Sequence, residues 1–304
     1  SAVAANAACE RCHSDHAAEW RGSLHQRANI EPAYERAFAI EPMPFCRSCH
    51  APEAVPHEEP PAAVSELGVA CVTCHLTEGG SVWAVPRHDA GPAPHGVVRD
   101  ARFAGPAACA SCHEFAFPGK QGRSPSELMQ STITEHAESH ARDASCASCH
   151  MPLGADGRRS HAFTSSRDPA RLARAVIASA ERVGPTSVRF TLRAVGVGHA
   201  FPTGDLFRRL EISAEAFGAD RMVVASASRY LTRHFVQQAG GTAGKRLVAD
   251  DRLREVSTAF ELELGPEATR LPIAWRVAYQ RVAHPSGADD EHAEIEADIE
   301  LARG

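Results

Sequence analysis

All ten cysteines of this 304-residue chain occur in one repeated pattern, a pair of cysteines separated by two residues. The five pairs are Cys9 and Cys12, Cys46 and Cys49, Cys71 and Cys74, Cys109 and Cys112, and Cys146 and Cys149. A histidine follows each pair directly, and these histidines are His13, His50, His75, His113 and His150. Because no cysteine lies outside the pattern, the sequence predicts neither a disulfide between distant segments nor a free thiol.

Cys-x-x-Cys-His is the attachment motif of c-type haem. Two thioether bonds would join the cysteines to one haem, and the histidine would be held under the iron as its proximal ligand. Zinc explains the pattern less well, since it needs four ligands per site and gives no reason for a histidine after every pair. A thioredoxin-like motif is expected once, near a βαβ pattern. The sequence therefore predicts five haem c groups, each with its iron.

Composition narrows the class of protein further. Hydrophobic residues make up 43% and charged residues 23% of the chain, as in soluble globular proteins. No run of about 18 apolar residues is present, so no transmembrane helix is expected. The formal net charge of −6, without a polybasic run, argues against a nucleic-acid partner. The sequence begins at Ser1 without a signal peptide, so an exported protein would have had that segment removed or left out.

The distribution of the motifs predicts two domains. All five motifs lie between residues 9 and 150, and residues 1–168 are expected to form a pentahaem cytochrome c domain of loops and short α-helices wrapped around the haems. Within it, Ser124-Pro125-Ser126-Glu127 reads as a helix start with a capping box, and that helix is expected to reach about Arg142. Other helices are expected over residues 14–25 and 34–40.

The composition changes at about residue 169. Cysteines stop, and apolar residues alternate with polar ones, as at Val188, Phe190 and Leu192. Further strands are expected over residues 210–214, 222–230, 259–264, 273–282 and 292–301. Residues 169–304 are therefore predicted to form an all-β, immunoglobulin-like sandwich domain.

Several segments resemble a known family of multihaem c-type cytochromes. From Cys9 to His25 the chain reads C-x-x-C-H-x6-W-x-x-S-x-H, and the fragments GVACVTCH, ASCHEF, QSTITEHAES, CASCHMP and SHAF follow. These resemble the relatives of the tetrahaem cytochrome of hydroxylamine oxidation over residues 9–165. The segment GHAFPTGDLFRRLEI is similar to one in the C-terminal domains of larger members. The resemblance implies mainly two axial histidines per haem and an exported protein, in the periplasm, at the cell surface or extracellular.

Twelve histidines lie outside the motifs, and five of them are needed if every haem has a distal histidine. The predicted distal ligands are His25, His95, His140, His161 and His199. Two choices stay open: His88 is the alternative to His95, and His136, four residues before His140, is the alternative to it. Four of the other histidines, His57, His234, His284 and His292, are expected to be ordinary surface or packing residues. Met43, Met129 and Met151 are not favoured as ligands.

The predicted function is electron transfer, and no catalytic residue is proposed. Five haems on roughly 140 residues must lie close together, and close haems exchange electrons. The expected partners are redox proteins, including other multihaem cytochromes or copies of this chain, with no nucleic acid and no membrane span. One alternative is a multihaem redox enzyme of the nitrite or hydroxylamine type, which would need one open iron; every motif here ends in histidine, which argues against it. The other alternative is an extracellular haem filament formed by copies of this chain.

Overall fold

The computed structural model describes residues 1–87, 91–164, 168–237, 244–284 and 291–304. It divides into two compact units. The first unit consists of Ser1–His113 and Asp143–Ser165, and the second of Glu114–Arg142 and Ser166–Gly304. The predicted boundary at residue 168 differs from this division, because residues 114–142, between the fourth and fifth motifs, group with the second unit.

Helices in the described residues are short. In chain order they are α1 (Ala2–Cys12), α2 (Ser14–Trp20), α3 (Pro32–Ile40), α4 (Arg47–His50), α5 (Ala62–Ser65), α6 (Cys71–His75), α7 (Pro106–His113), α8 (Thr132–Ala137), α9 (Cys146–His150) and α10 (Pro169–Arg174). Single 3₁₀ turns cover Pro44–Cys46, Ala101–Ala104, Pro125–Glu127 and Pro266–Ala268. Apart from α8 and α10, the helices belong to the first unit. No helix among the described residues is long and apolar enough to cross a membrane.

The predicted helix between Ser124 and Arg142 is wrong over its first half. A 3₁₀ turn covers Pro125–Glu127, a strand follows over Leu128–Ser131, and only Thr132–Ala137 is α-helical. The backbone of this strand pairs with Glu114–Ala116, and its carbonyl groups at Leu128 and Met129 accept hydrogen bonds from Arg233. Tertiary pairing therefore outweighs the local capping signal.

The other two predicted helices are present. α3 covers the expected residues 34–40 and starts two residues earlier, at Pro32. α2 begins at Ser14 as expected but ends at Trp20. Gly22 lies just beyond that end with φ +79°, a left-handed conformation that commonly terminates helices.

Thirteen strands are present in the described residues. They are β1 (Val82–Ala84), β2 (Val97–Arg99), β3 (Glu114–Ala116), β4 (Leu128–Ser131), β5 (Val176–Arg182), β6 (Ser187–Ala194), β7 (Arg208–Phe217), β8 (Val223–Leu231), β9 (Arg233–Gln237), β10 (Lys245–Asp250), β11 (Thr258–Glu263), β12 (Ile273–Val282) and β13 (Ile295–Arg303). The second unit has a three-stranded sheet in the order β11-β6-β5 and a four-stranded sheet in the order β13-β12-β7-β8. All neighbours in both sheets are antiparallel.

These two sheets share one hydrophobic core. Phe190 of β6 and Leu262 of β11 belong to the same buried cluster as Ile212 of β7 and Val277 of β12. Along β6 alternate side chains are buried, as the apolar and polar alternation predicts. The six predicted strands correspond to β6, β7, β8, β11, β12 and β13, so the prediction of strands in sheets is confirmed, although helix α10 (Pro169–Arg174) also lies in this part of the chain. The immunoglobulin-like topology stays a prediction.

Candidate functional site

Each Cys-x-x-Cys-His motif, numbered one to five along the chain, lies on or at the end of a helical turn. α6 and α9 consist of motifs three and five alone, and α4 covers all of motif two but its first cysteine. α1 ends at the second cysteine of motif one, and α7 ends at the histidine of motif four. Residues at positions i, i+3 and i+4 of a helix share a face. Two cysteines and a histidine at this spacing therefore reach one side of the backbone, as attachment to a single flat group requires.

Four pairs of histidine rings have centroids 6.2–6.4 Å apart. One is His13 with His16, only three residues along the chain, and the other three each include a distal ligand predicted from the sequence. The ring centroids are 6.4 Å apart for His13 and His95, 6.3 Å for His75 and His161, and 6.2 Å for His113 and His25. An imidazole nitrogen binds a transition metal at about 2.0–2.1 Å. Two imidazoles on opposite sides of one iron therefore have centroids about 6–6.5 Å apart. Each of these three pairs joins one motif histidine to one predicted distal histidine, so the spacing suits an iron between them.

Hydrogen bonds select the nitrogen that is left to bind iron. Nδ1 of His50 lies 2.7 Å from the carbonyl oxygen of Ala28, and Nδ1 of His75 lies 2.9 Å from that of Trp83. Nδ1 of His161 lies 3.0 Å from the carbonyl oxygen of Arg159. A carbonyl oxygen only accepts, so Nδ1 carries the proton and Nε2 keeps its lone pair. This arrangement is typical of metal-binding histidines.

Burial favours the uncharged form of three of the paired imidazoles. It lowers the pKa of His25 and of His161 to about 4, and it also lowers the pKa of His75. At neutral pH these side chains are therefore neutral, which is the form of imidazole that binds a metal.

The other predicted distal ligands are placed differently. His95 is exposed, and its Nδ1 is 3.4 Å from the carbonyl oxygen of Gly96, whereas His88 lies outside the described residues. His140, His136 and His199 all belong to the second unit. The structure thus brings the His95 ring close to the ring of His13, and it does not test the alternative ligand His88.

Helix α8 and the turn after it carry two of the second-unit candidates. His136 lies within α8, and His140 follows in an exposed turn where its Nδ1 contacts the carboxylate of Glu255. His199 is partly buried, which lowers its pKa, and its Nδ1 lies 2.9 Å from the carbonyl oxygen of Ala200. Within this unit, a Cβ atom at Gly198 would come within 2.8 Å of the Ala141 side chain, so only glycine allows this close approach. The structure does not choose between His136 and His140.

Sequence reasoning missed three aromatic neighbours of these histidines. His16 packs edge-on against His161 with centroids 4.7 Å apart, and Phe163 packs edge-on against His25 at 4.1 Å. Tyr34 stacks on His50 at 3.9 Å. Helical spacing from His13 and the fragment SHAF could have indicated His16 and Phe163. Nothing in the sequence connects Tyr34 with His50, because the contact depends on how α3 packs.

The first unit lacks an apolar core in proportion to its length. Its hydrophobic cluster has four buried members, Trp20, Leu67, Ala70 and Val72, whereas the cluster of the second unit has 19. The hydroxyl of Tyr34 is buried without a hydrogen-bond partner among the described residues. No group of three or more His, Cys, Asp or Glu side chains in the described ranges is arranged to hold a metal ion directly. The small apolar cluster fits a haem, which would fill the interior of this unit.

Comparisons with known proteins concern the fold of the chain. The chain matches no protein-family model, and no curated protein matches it either. It does match the solved structure of a penta-haem cytochrome c552 from Thermochromatium tepidum, with a TM-score of 0.71 over 97% of this chain and 96% of that chain. The chain has the fold of that cytochrome. Because the sequence identity is 19%, the likeness concerns the fold, and the resemblance to the hydroxylamine-oxidation relatives stays a prediction.

Proposed function

We propose that this protein transfers electrons through five covalently bound haem c groups, as a carrier or conduit. The observation that carries the proposal is the set of three histidine pairs, with centroids 6.2–6.4 Å apart, that each join a motif histidine to a distal histidine predicted from the sequence. Haem supplies one-electron redox chemistry, with a potential set by its axial ligands, hydrogen bonds and burial. The protein's own part is to attach, ligate and bring together these groups.

The pairs support three proposed sets of axial ligands. His13 and His95 belong to motif one, His75 and His161 to motif three, and His113 and His25 to motif four. Axial histidines on both sides favour low-spin iron with a lower potential than histidine and methionine give. For the irons of His50 and His150, the predicted distal ligands His140 and His199 remain candidates, with His136 as the alternative to His140.

Contacts inside the first unit bring the motifs together. Asn6, on the same helix as Cys9, is fully buried, and its Oδ1 accepts a hydrogen bond of 2.9 Å from the backbone N–H of Cys71. Motif one is thereby fixed against motif three. The sulfur of Cys49 lies 4.0 Å from the carbonyl oxygen of Ser111, so motif two and motif four are close together. Attachment sites held this close suit rapid exchange of electrons between the groups bound there.

The location and partners follow from the same proposal. Haem is attached to c-type cytochromes outside the cytoplasm, so we expect a periplasmic, cell-surface or extracellular protein. Its partners would be redox proteins, other multihaem cytochromes or copies of itself. An enzyme with one open haem would differ in having a high-spin iron that binds cyanide. A filament would appear as elongated particles in negative-stain microscopy.

The first test is the number of attached haems. After export from a host that matures c-type cytochromes, the intact mass should exceed that of the chain by five haems, and the pyridine haemochrome should give the same ratio. A variant with both Cys109→Ser and Cys112→Ser should lose one haem and keep four. A protein that carries zinc, or no covalent haem, would refute the proposal.

A second test addresses the ligand pairs. Substitution of His161 or His25 by leucine should convert one haem each from low-spin to high-spin iron, since each removes one axial ligand. Electron paramagnetic resonance, quantified against haem content, measures the change. His57→Leu, at an exposed histidine, is the control and should leave all signals unchanged. If His161→Leu leaves the number of low-spin haems unaltered, the assignment of His161 to the iron of His75 is wrong.

A further inference from the structure

Tyr34 packs flat against the histidine of motif two. The two rings are 3.9 Å apart at their centroids and only 12° from parallel. By contrast, His75 of motif three meets Phe103 at 5.0 Å and an angle of 62°. A parallel neighbour at van der Waals distance blocks rotation of the imidazole, whereas an edge-on neighbour leaves more freedom.

The hydroxyl of Tyr34 does not account for its position. Its oxygen is buried and has no hydrogen-bond partner among the described residues, and burying such a group without a partner is unfavourable. Burial also raises the pKa of this phenol, so it stays protonated. The contact that Tyr34 gains in return is made by its ring.

Another aromatic residue of helix α3 packs near the Tyr34 ring. Phe38, one turn further along α3, lies 5.7 Å from Tyr34 between ring centroids. The guanidinium of Arg47, inside motif two, lies 4.9 Å above the ring of Phe38. Arg47 is in turn held by a hydrogen bond of 2.7 Å to the carbonyl oxygen of Glu58. α3 is therefore fastened to motif two, and Tyr34 has little room to move away from His50.

We propose that Tyr34 is a positioning residue that fixes the plane of the His50 imidazole and so tunes the haem attached at Cys46 and Cys49. An imidazole bound through Nε2 can turn about its bond to iron. The hydrogen bond from Nδ1 to the carbonyl oxygen of Ala28, at 2.7 Å, restrains one edge of the ring, and the Tyr34 ring restrains its face. The plane of an axial imidazole determines how its π orbital overlaps the iron d orbitals, and it therefore affects the magnetic anisotropy of the oxidised iron. This inference rests on the proposed function.

The experiment compares two substitutions in the full-length, haem-loaded protein. Tyr34→Leu removes the flat ring, and Tyr34→Phe keeps the ring without its hydroxyl. In Tyr34→Leu we expect the g-values of one haem to change while the other four keep theirs. We also expect its reduced-to-oxidised ratio at fixed potential to rise about tenfold, or 59 mV for one electron, because the turned ring bonds Ala28 less well and becomes a weaker donor to iron. Tyr34→Phe should match the wild type in both measurements, and Phe103→Leu, which removes an edge-on contact, is the matched control.

Haem content separates failure of this inference from failure of the proposed function. If the wild type carries no covalent haem, the proposed function itself fails. If Tyr34→Leu carries five haems with wild-type g-values and potentials, the positioning role is refuted, and it is also refuted if Leu and Phe variants show the same change. If Tyr34→Leu loses a haem, Tyr34→Met replaces it in the experiment, because methionine fills the volume with a flexible side chain. A Tyr34→Met protein with five haems should show shifted g-values for one haem. Wild-type g-values in that protein would refute the positioning role.

Discussion

Replacing Gly68 by alanine is expected to displace His25 and to leave the haem of motif four without its distal ligand. Gly68 has φ +53°, and a Cβ atom placed there would lie 2.4 Å from the carbonyl oxygen of His25 and 2.2 Å from that of Gln26. Both obstacles are backbone atoms, so no side-chain rotation relieves the clash. The next residue, Val69, donates its N–H to the same carbonyl oxygen of His25 at 2.8 Å. Separating the two segments therefore moves the backbone that carries His25.

Two effects lower the free energy of unfolding of the Gly68→Ala variant. A left-handed conformation costs a residue with a Cβ about 1–2 kcal/mol, and overpacking typically adds about 1–3 kcal/mol. We expect one haem to become high-spin in electron paramagnetic resonance and the thermal transition followed at the haem absorption band to fall. Gly22→Ala is a matched control, because Gly22 has φ +79° but a Cβ there would meet nothing within 4 Å. Gly22→Ala should therefore be destabilised only by its left-handed conformation and should keep every low-spin signal. If both variants lose a low-spin signal equally, the contact between residue 68 and the His25 backbone is not the cause.

Local pattern was sufficient wherever the chemistry is carried by neighbours in sequence. The motif residues share a helical turn, so their spacing alone predicts that they attach one haem. Strands β6 and β7 follow the alternation of their apolar residues, because one face of each sheet is buried. Such features need no knowledge of the rest of the chain.

Features that depend on distant segments could not be predicted. The capping signal at Ser124 indicates a helix, but pairing with β3 and the hydrogen bonds from Arg233 make residues 128–131 a strand. Histidine counts do not say which ring faces which, since His95 and His13 are 82 positions apart in the sequence. The stack of Tyr34 on His50 has no sequence signal at all. In each case the deciding contact is tertiary.

Within the second unit, a buried ion pair joins helix α8 to the segment between strands β10 and β11. Glu135 and Arg252 each have only 4% of the side chain exposed, and their charged groups are 2.7 Å apart. Arg252 also pairs with Asp250 at 2.7 Å. The second carboxylate oxygen of Glu135 accepts hydrogen bonds from the hydroxyl of Thr203 at 2.6 Å and from the backbone N–H of Ala200 at 3.3 Å. Glu135 therefore anchors the segment that directly follows His199.

Arg252→Leu should destabilise the second unit by about 3–5 kcal/mol, because it leaves the Glu135 carboxylate buried without its cation. For a unit of this size the melting temperature should fall by about 6–20 °C, measured by far-ultraviolet circular dichroism. Arg189→Leu is the control: Arg189 pairs with Glu261 at 2.8 Å, but both side chains are about half exposed, so its loss should cost less than about 1 kcal/mol. Removing both charges, as Arg252→Leu with Glu135→Leu, should recover part of the loss, since no unpaired carboxylate then remains at position 135. The loss of unfolding free energy in the double variant is compared with the sum of the losses in Arg252→Leu and Glu135→Leu. If the two are equal, the side chains are not energetically coupled, and the stabilising role assigned to the pair is wrong.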